Sequence, residues 1–150
     1  MSEETIHTIL VVDDEPTNVA ILNAMLNKQY KIKVALNGHD AIKVANTSPY
    51  PDLILLDVVM ENMDGFEVCT RLKQNESTRD IPVIFVTALR DIKNDRKGLE
   101  LGAIDFFSKP FSAPIIKKRI ENHLSLAKLS RDLRQIKDAY DELAIKNNGQ

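Results

Sequence analysis

The chain has 150 residues, of which 43% are apolar and 28% charged, with a net charge of −2 and a pI near 5.9. That length suits one domain with an appendage, and the charge balance leaves no footprint for direct nucleic-acid binding. No run nears the ~18 apolar residues of a membrane span, the acidic start shows no signal peptide, and lone Cys69 cannot close an internal disulfide, so a cytoplasmic protein is expected.

Short apolar runs alternate with amphipathic stretches. The first strand is expected at "HTILVV" (7–12), followed by a helix that opens at "DDEP". There an acidic cap and Pro16 in the first turn precede Val19, Leu22 and Leu26 on one face. "KIKVAL" (31–36) gives a second strand, and Ala41, Ile42 and Ala45 mark a helix near 38–46. "PDLILLD" (51–57) leads into a helix near 65–74 that groups Val68, Cys69 and Leu72. "IPVIFVT" (81–87) precedes a mostly polar helix near 90–101, with Gly102 as a left-handed terminator. "AIDFF" (103–107) is the fifth strand, and Ser112 and Pro114 start a fifth helix. The runs around 9–12, 53–56 and 83–86 are continuously apolar, as central parallel strands covered on both faces should be. Strict alternation of five strands and five helices predicts a doubly wound parallel sheet.

In such a sheet the functional crevice lies beyond the carboxyl ends of the strands. Asp13 and Asp14 end the first strand, Asp57 the third and Thr87 the fourth, while Lys109-Pro110 follows the fifth. Taken singly, Asp13–Glu15 would serve as a helix cap, Asp57 as a turn residue, and Thr87 or Lys109 would mean little. Jointly, three carboxylates at one edge call for a cation among them, and Mg2+ suits an all-oxygen site. An ammonium and a hydroxyl complete a cradle for a phosphoryl group, and an aspartate can itself be the nucleophile.

The motifs "ILVVDDEP", "DLILLDVVMENMDGFEVC", "IPVIFVTA" and "GAIDFFSKPF" resemble the receiver domain of bacterial two-component response regulators, over roughly residues 7–124. The resemblance implies a flavodoxin-like (βα)5 fold with strand order 2-1-3-4-5. It implies Asp57 as phosphoacceptor, with Mg2+ held by Asp14, Asp57 and the backbone carbonyl of Val59, and by Asp13 through water. Thr87 and Lys109 would hold phosphoryl oxygens, Lys109-Pro110 would be a cis bond, and Phe106 would turn inward as Thr87 moves toward the phosphoryl group; as a bare sequence feature Phe106 is equally a plain core aromatic. The donor would be a phosphohistidine on a sensor histidine kinase or phosphotransfer protein. The domain would be no turnover enzyme and would catalyse only its own phosphorylation and dephosphorylation.

Two features depart from the family pattern. Glu61 stands where a proline is usual, which should leave the loop after Asp57 looser, and the switch aromatic is Phe rather than Tyr. Val59 and Leu89, apolar residues two positions after Asp57 and Thr87, are expected to lengthen the acyl phosphate lifetime by hindering water.

Residues 117–150 carry eight Lys/Arg against five Asp/Glu, so this segment is net basic while the rest is acidic. Apolar residues at 126, 129, 133, 136, 140 and 143 fall at alternating steps of three and four, nearly three heptads. A receiver domain over 1–124 followed by a helical, coiled-coil-like extension over 125–150 is the expected organisation, with a homodimer through that extension, a single frayed helix or a helix folded back on the domain as its alternatives. Stalks of this type in the family often lead to a cyclic-dinucleotide enzyme, so the chain is read as a fragment or as a stand-alone regulator. Two rival readings are a haloacid-dehalogenase-like phosphohydrolase, whose first strand would end in Asp-x-Asp rather than the adjacent Asp13-Asp14, and a receiver that only docks.

Overall fold

The computed structural model describes residues 5–148. Five parallel strands, β1 (Thr8–Val12), β2 (Lys31–Ala35), β3 (Leu53–Leu56), β4 (Val83–Thr87) and β5 (Asp105–Ser108), form one sheet in the order β2-β1-β3-β4-β5. This is the flavodoxin-like arrangement. Every residue of β1, β3 and β4 is buried, whereas the edge strand β2 is only partly covered and carries Lys31 and Lys33. The continuously apolar runs are therefore the central strands, as two-sided burial requires. Charged side chains on the outer strand discourage edge-to-edge pairing.

The helices are α1 (Pro16–Leu26), α2 (Gly38–Ala45), α3 (Gly65–Gln74), α4 (Ile92–Glu100) and α5 (Ala113–Asn148). Side chains of Asn37, Asp64 and Asp91 accept the backbone N–H of Asp40, Glu67 and Asn94, capping α2, α3 and α4. Helix α1 differs from expectation: Glu15 occupies the cap position without a side-chain cap bond. The nearby carboxylate of Asp13 instead accepts the Glu15 N–H at 2.9 Å. Pro16 at the first helical position needs no donor there.

Gly102, at φ +107°, ends α4. Its N–H donates to Leu99 O and that of Ala103 to Gly98 O, the paired bonds of a Schellman closure. That closure uses Ala103, which is why β5 begins at Asp105 rather than at 103. The core gathers Leu10, Ile54, Leu56, Cys69, Leu72 and Phe85, among others, all nearly or wholly buried. Fully burying each large apolar side chain is worth about 1.5–3 kcal/mol.

Packing divides the chain into two compact units, one up to Ile116 and one from Lys117. In the second, Ile120 and Leu124 are buried, while the large apolar side chains from Leu126 to Leu143 are exposed. Among the described residues, no helix is long and apolar enough to cross a membrane.

Candidate functional site

Sheet register brings the strand-end residues together. Val12 pairs with Leu56, so Asp13 and Asp57, the next residue of each strand, leave the sheet side by side. Thr87 pairs with Ser108, which sets Lys109 beside the end of β4. The ladder continues one step past each strand: Asp13 N–H donates to Ala35 O, Asp57 N–H to Val12 O and Lys109 N–H to Thr87 O. The backbones under these side chains are thus fixed by hydrogen bonds rather than by loop packing. The Lys109-Pro110 bond is cis.

Lys109 Nζ lies 2.7 Å from Asp13 Oδ2 and 3.1 Å from Asp57 Oδ2. Asp13 and Asp57 are both buried, and Asp14 is partly exposed. Each of the three offers a carboxylate oxygen within 4.8 Å of the others. Burial, then the neighbouring charge of Asp13, raises the Asp57 carboxyl above its ordinary value; the hydrogen bond and charge of Lys109 and the Val59 N–H oppose this. For Lys109, burial pulls the ammonium down, but its bonds to Asp13 and Asp57 and their charges outweigh it, and the net shift is upward.

Counted formally, three carboxylates and one ammonium carry a net charge of −2, which one divalent cation would balance. The donor set is all oxygen, which suits a hard ion. The Asp cluster therefore fits Mg2+.

An open cleft of about 540 Å3 adjoins these groups, lined by Asp57, Val59, Thr87, Leu89 and Lys109, with Glu15 and Asn18 from the start of α1. Thr87 is buried, and its hydroxyl oxygen accepts the Leu89 N–H at 3.0 Å, which leaves its proton for another acceptor. Val59 and Leu89 expose 59% and 45% of their surface, so both apolar side chains face solvent beside the cleft.

Glu61 acts through its backbone. Its N–H donates to Asp14 Oδ2 at 3.4 Å while its side chain is exposed. The Met63 N–H then bonds back to Glu61 O at 2.8 Å around Asn62, which sits at φ +67°. This tight γ-turn, with Met60 and Met63 buried on either side, constrains the loop without a proline.

Phe106 is buried, its ring 5.4 Å from that of Phe85. The Arg90 guanidinium lies 5.1 Å above the Phe106 ring, pairs with Asp95 and donates to Ser108 Oγ. Arg90 thus ties the loop after Thr87 to α4 and to the residue before Lys109, a link no sequence spacing announces.

Gly65 is the other site residue that sequence reading missed. A Cβ built there would collide with the carbonyl oxygen of Asp57 and come within 2.9 Å of Val58 Cα. Its N–H donates to Val58 O at 2.8 Å. The one available signal was a glycine directly after the Asp64 cap, at a position where any helix former would otherwise serve.

Residues 9–121 match the family model of the response regulator receiver domain. The "Response regulator PleD" of Caulobacter vibrioides is 43% identical over 129 residues, 85% of this chain and 28% of that protein. A Vibrio cholerae protein named "Probable cyclic di-GMP phosphodiesterase" is 41% identical over 138 residues, 92% of this chain and 31% of that protein. The chain thus spans under a third of these two curated relatives. Among solved structures, the signal receiver domain of a signal transduction histidine kinase from Syntrophus aciditrophicus superposes with a TM-score of 0.71 at 36% identity, covering 79% of this chain and 90% of that one.

Proposed function

The chain belongs to the response regulator receiver family, and from that premise we propose that Asp57 accepts a phosphoryl group from a phosphohistidine partner to control an output. The observation that carries this is the Asp57 carboxylate at the cleft, bonded by Lys109 and flanked by two further carboxylates. In the transfer, an Asp57 Oδ bonds to phosphorus as the phosphorus–nitrogen bond breaks. The imidazole departs with that electron pair, and an acyl phosphate remains.

Asp14, Asp57 and the Val59 carbonyl would hold Mg2+ directly, and Asp13 through water. The ion would supply charge neutralisation on the phosphoryl oxygens. Lys109, already within reach of Asp57, contributes a second positive charge to the transferred group, and Thr87 can donate its hydroxyl proton to it. Positioning and charge compensation make up most of such catalysis. The domain does no turnover on outside substrates.

Phe106 lies inward in this structure. Drawing Thr87 toward the phosphoryl group would then trap that inward rotamer, a shift of population between pre-existing states.

The proposed partners are a sensor histidine kinase or phosphotransfer protein in the cytoplasm, and a second copy of this chain through the α5 extension. The output is a cyclic-dinucleotide enzyme, consistent with the name of the Vibrio cholerae relative.

Incubation with Mg2+ and a small phosphodonor should add the mass of one phosphoryl group, and Asp57→Asn should abolish the gain. No adduct on the wild type, or one that survives the substitution, would overturn the assignment. Steady turnover of a phosphate ester would favour a hydrolase instead.

Replacing Val59 and Leu89 together, as Val59→Asn and Leu89→Ser, opens the cleft to water. Loss of phosphate should speed up about tenfold, the rate equivalent of roughly 1.4 kcal/mol. Timing the decay of the adduct checks this, and an unchanged or slower decay contradicts it.

A further inference from the structure

The exposed face of α5 bears on the direction of a dimer as well as on its existence. Helix α5 continues to Asn148, and Leu126, Leu129, Leu133, Ile136, Tyr140 and Leu143 are each between 55% and 72% exposed. A regular apolar stripe left open over five helical turns is the mark of an association surface. Steps of three and four place Leu126, Leu133 and Tyr140 at a positions, and Leu129, Ile136 and Leu143 at d positions.

The flanking charges discriminate between orientations. Asp132 falls at g and Lys137 at the following e, and both are exposed. In a parallel, in-register pair, g of one helix faces the next e of its partner, so Asp132 meets Lys137 of the other copy twice, once on each side. In an antiparallel pair the same apolar layers also match, Leu126 with Leu143, Leu129 with Tyr140 and Leu133 with Ile136. There, however, g faces g and e faces e, so Asp132 would meet Ala139 and Lys137 would meet Ser130, and both attractions would be lost. The remaining g and e positions in this stretch are small, Ser125, Ser130, Ala139 and Ala144, and favour neither direction.

We infer that two copies of this chain pair through residues 126–143 as a parallel, in-register coiled coil, with direction set by Asp132 and Lys137. This rests on the dimer reading above and adds orientation and register to it.

Sedimentation velocity on the full chain should show a concentration-dependent dimer, which Leu133→Asp abolishes while phosphoryl uptake at Asp57 persists. Leu129→Cys should form a symmetric disulfide on mild oxidation, with native Cys69 buried and out of reach. Asp132→Lys alone and Lys137→Asp alone should each weaken the dimer about tenfold, since two attractions become repulsions. The double exchange should restore it.

A monomer at all concentrations, or a dimer indifferent to Leu133→Asp, would remove the dimer reading itself. A dimer in which Leu129→Cys cross-links only to a Tyr140→Cys chain would leave the dimer and overturn the parallel assignment. So would failure of the double exchange to restore association. Uptake at Asp57 measured on the same samples separates either result from a misfolded first unit.

Discussion

Gly65→Ala is expected to destabilise the protein by about 1–3 kcal/mol, the range of a backbone forced apart by overpacking. At roughly 2–4 °C per kcal/mol for a chain of this size, the midpoint of thermal unfolding should fall by about 2–12 °C. Local propensity predicts the opposite sign, because alanine is favoured over glycine in a helix by about 1 kcal/mol. The decision rests on tertiary geometry. The new Cβ would collide with the Asp57 carbonyl oxygen and lie 2.9 Å from Val58 Cα, both backbone atoms of the segment that presents the Asp57 carboxylate to the cleft. A flexible side chain could swing away, but a strand end hydrogen-bonded to Val12 cannot. The same displacement should reduce phosphoryl uptake at Asp57 at temperatures where the variant is still folded. A neutral or raised midpoint would show that helix propensity wins and that the contact between α3 and the end of β3 is loose.

That clash illustrates where sequence reading stopped. The central strands were legible because two-sided burial writes itself as an unbroken apolar run, as at Leu53–Leu56. Asp13, Asp57, Thr87 and Lys109 were legible because each follows or ends such a run, and parallel order brings all strand ends to one edge. The Gly102 terminator was legible because the signal is local. What could not be read depends on distances between segments far apart in the chain. Lys33 looks like a strand residue, yet its Nζ donates to the carbonyl oxygens of Thr47 and Pro49 beyond α2. Lys73 likewise reaches Arg79 O and Ile81 O, and its burial lowers the ammonium from its ordinary value. Asp13 was placed in the carboxylate cluster by its strand end, but its direct 2.7 Å pair with Lys109 is visible only in the fold. The contribution of Glu61 was illegible for a related reason: its backbone, not its carboxylate, meets Asp14, and side-chain identity says nothing about that.

Asp57→Asn is expected to make the metal-free protein more stable near neutral pH even as it abolishes phosphoryl uptake. Burial and the charge of Asp13 raise the Asp57 carboxyl above its ordinary value in the folded state. Between the ordinary value and the raised one the native state holds more protons than the unfolded chain, so stability falls as pH rises through that window. Above it the full cost of the buried charge is present. Removing one partner of a buried pair usually strands the other, but here Lys109 keeps Asp13 at 2.7 Å. The substitution therefore removes a surplus anion rather than exposing a lone cation. A gain of about 1 kcal/mol, or roughly 2–4 °C, is expected in chelator at pH 7. The difference should close as pH drops below the ordinary carboxyl range, where Asp57 in both states is protonated. Millimolar Mg2+ should close it from the other side, since a cation that binds only the folded wild type adds stability in proportion to the logarithm of its concentration over its dissociation constant. The variant, one carboxylate poorer, should gain less. Thermal unfolding of both proteins across pH 3–8, with and without Mg2+, measures all of this. A variant less stable than wild type in chelator at neutral pH would mean that the Lys109–Asp57 attraction outweighs the burial and repulsion acting on Asp57, and that the apo site is an ion pair at rest rather than a charge surplus awaiting a cation.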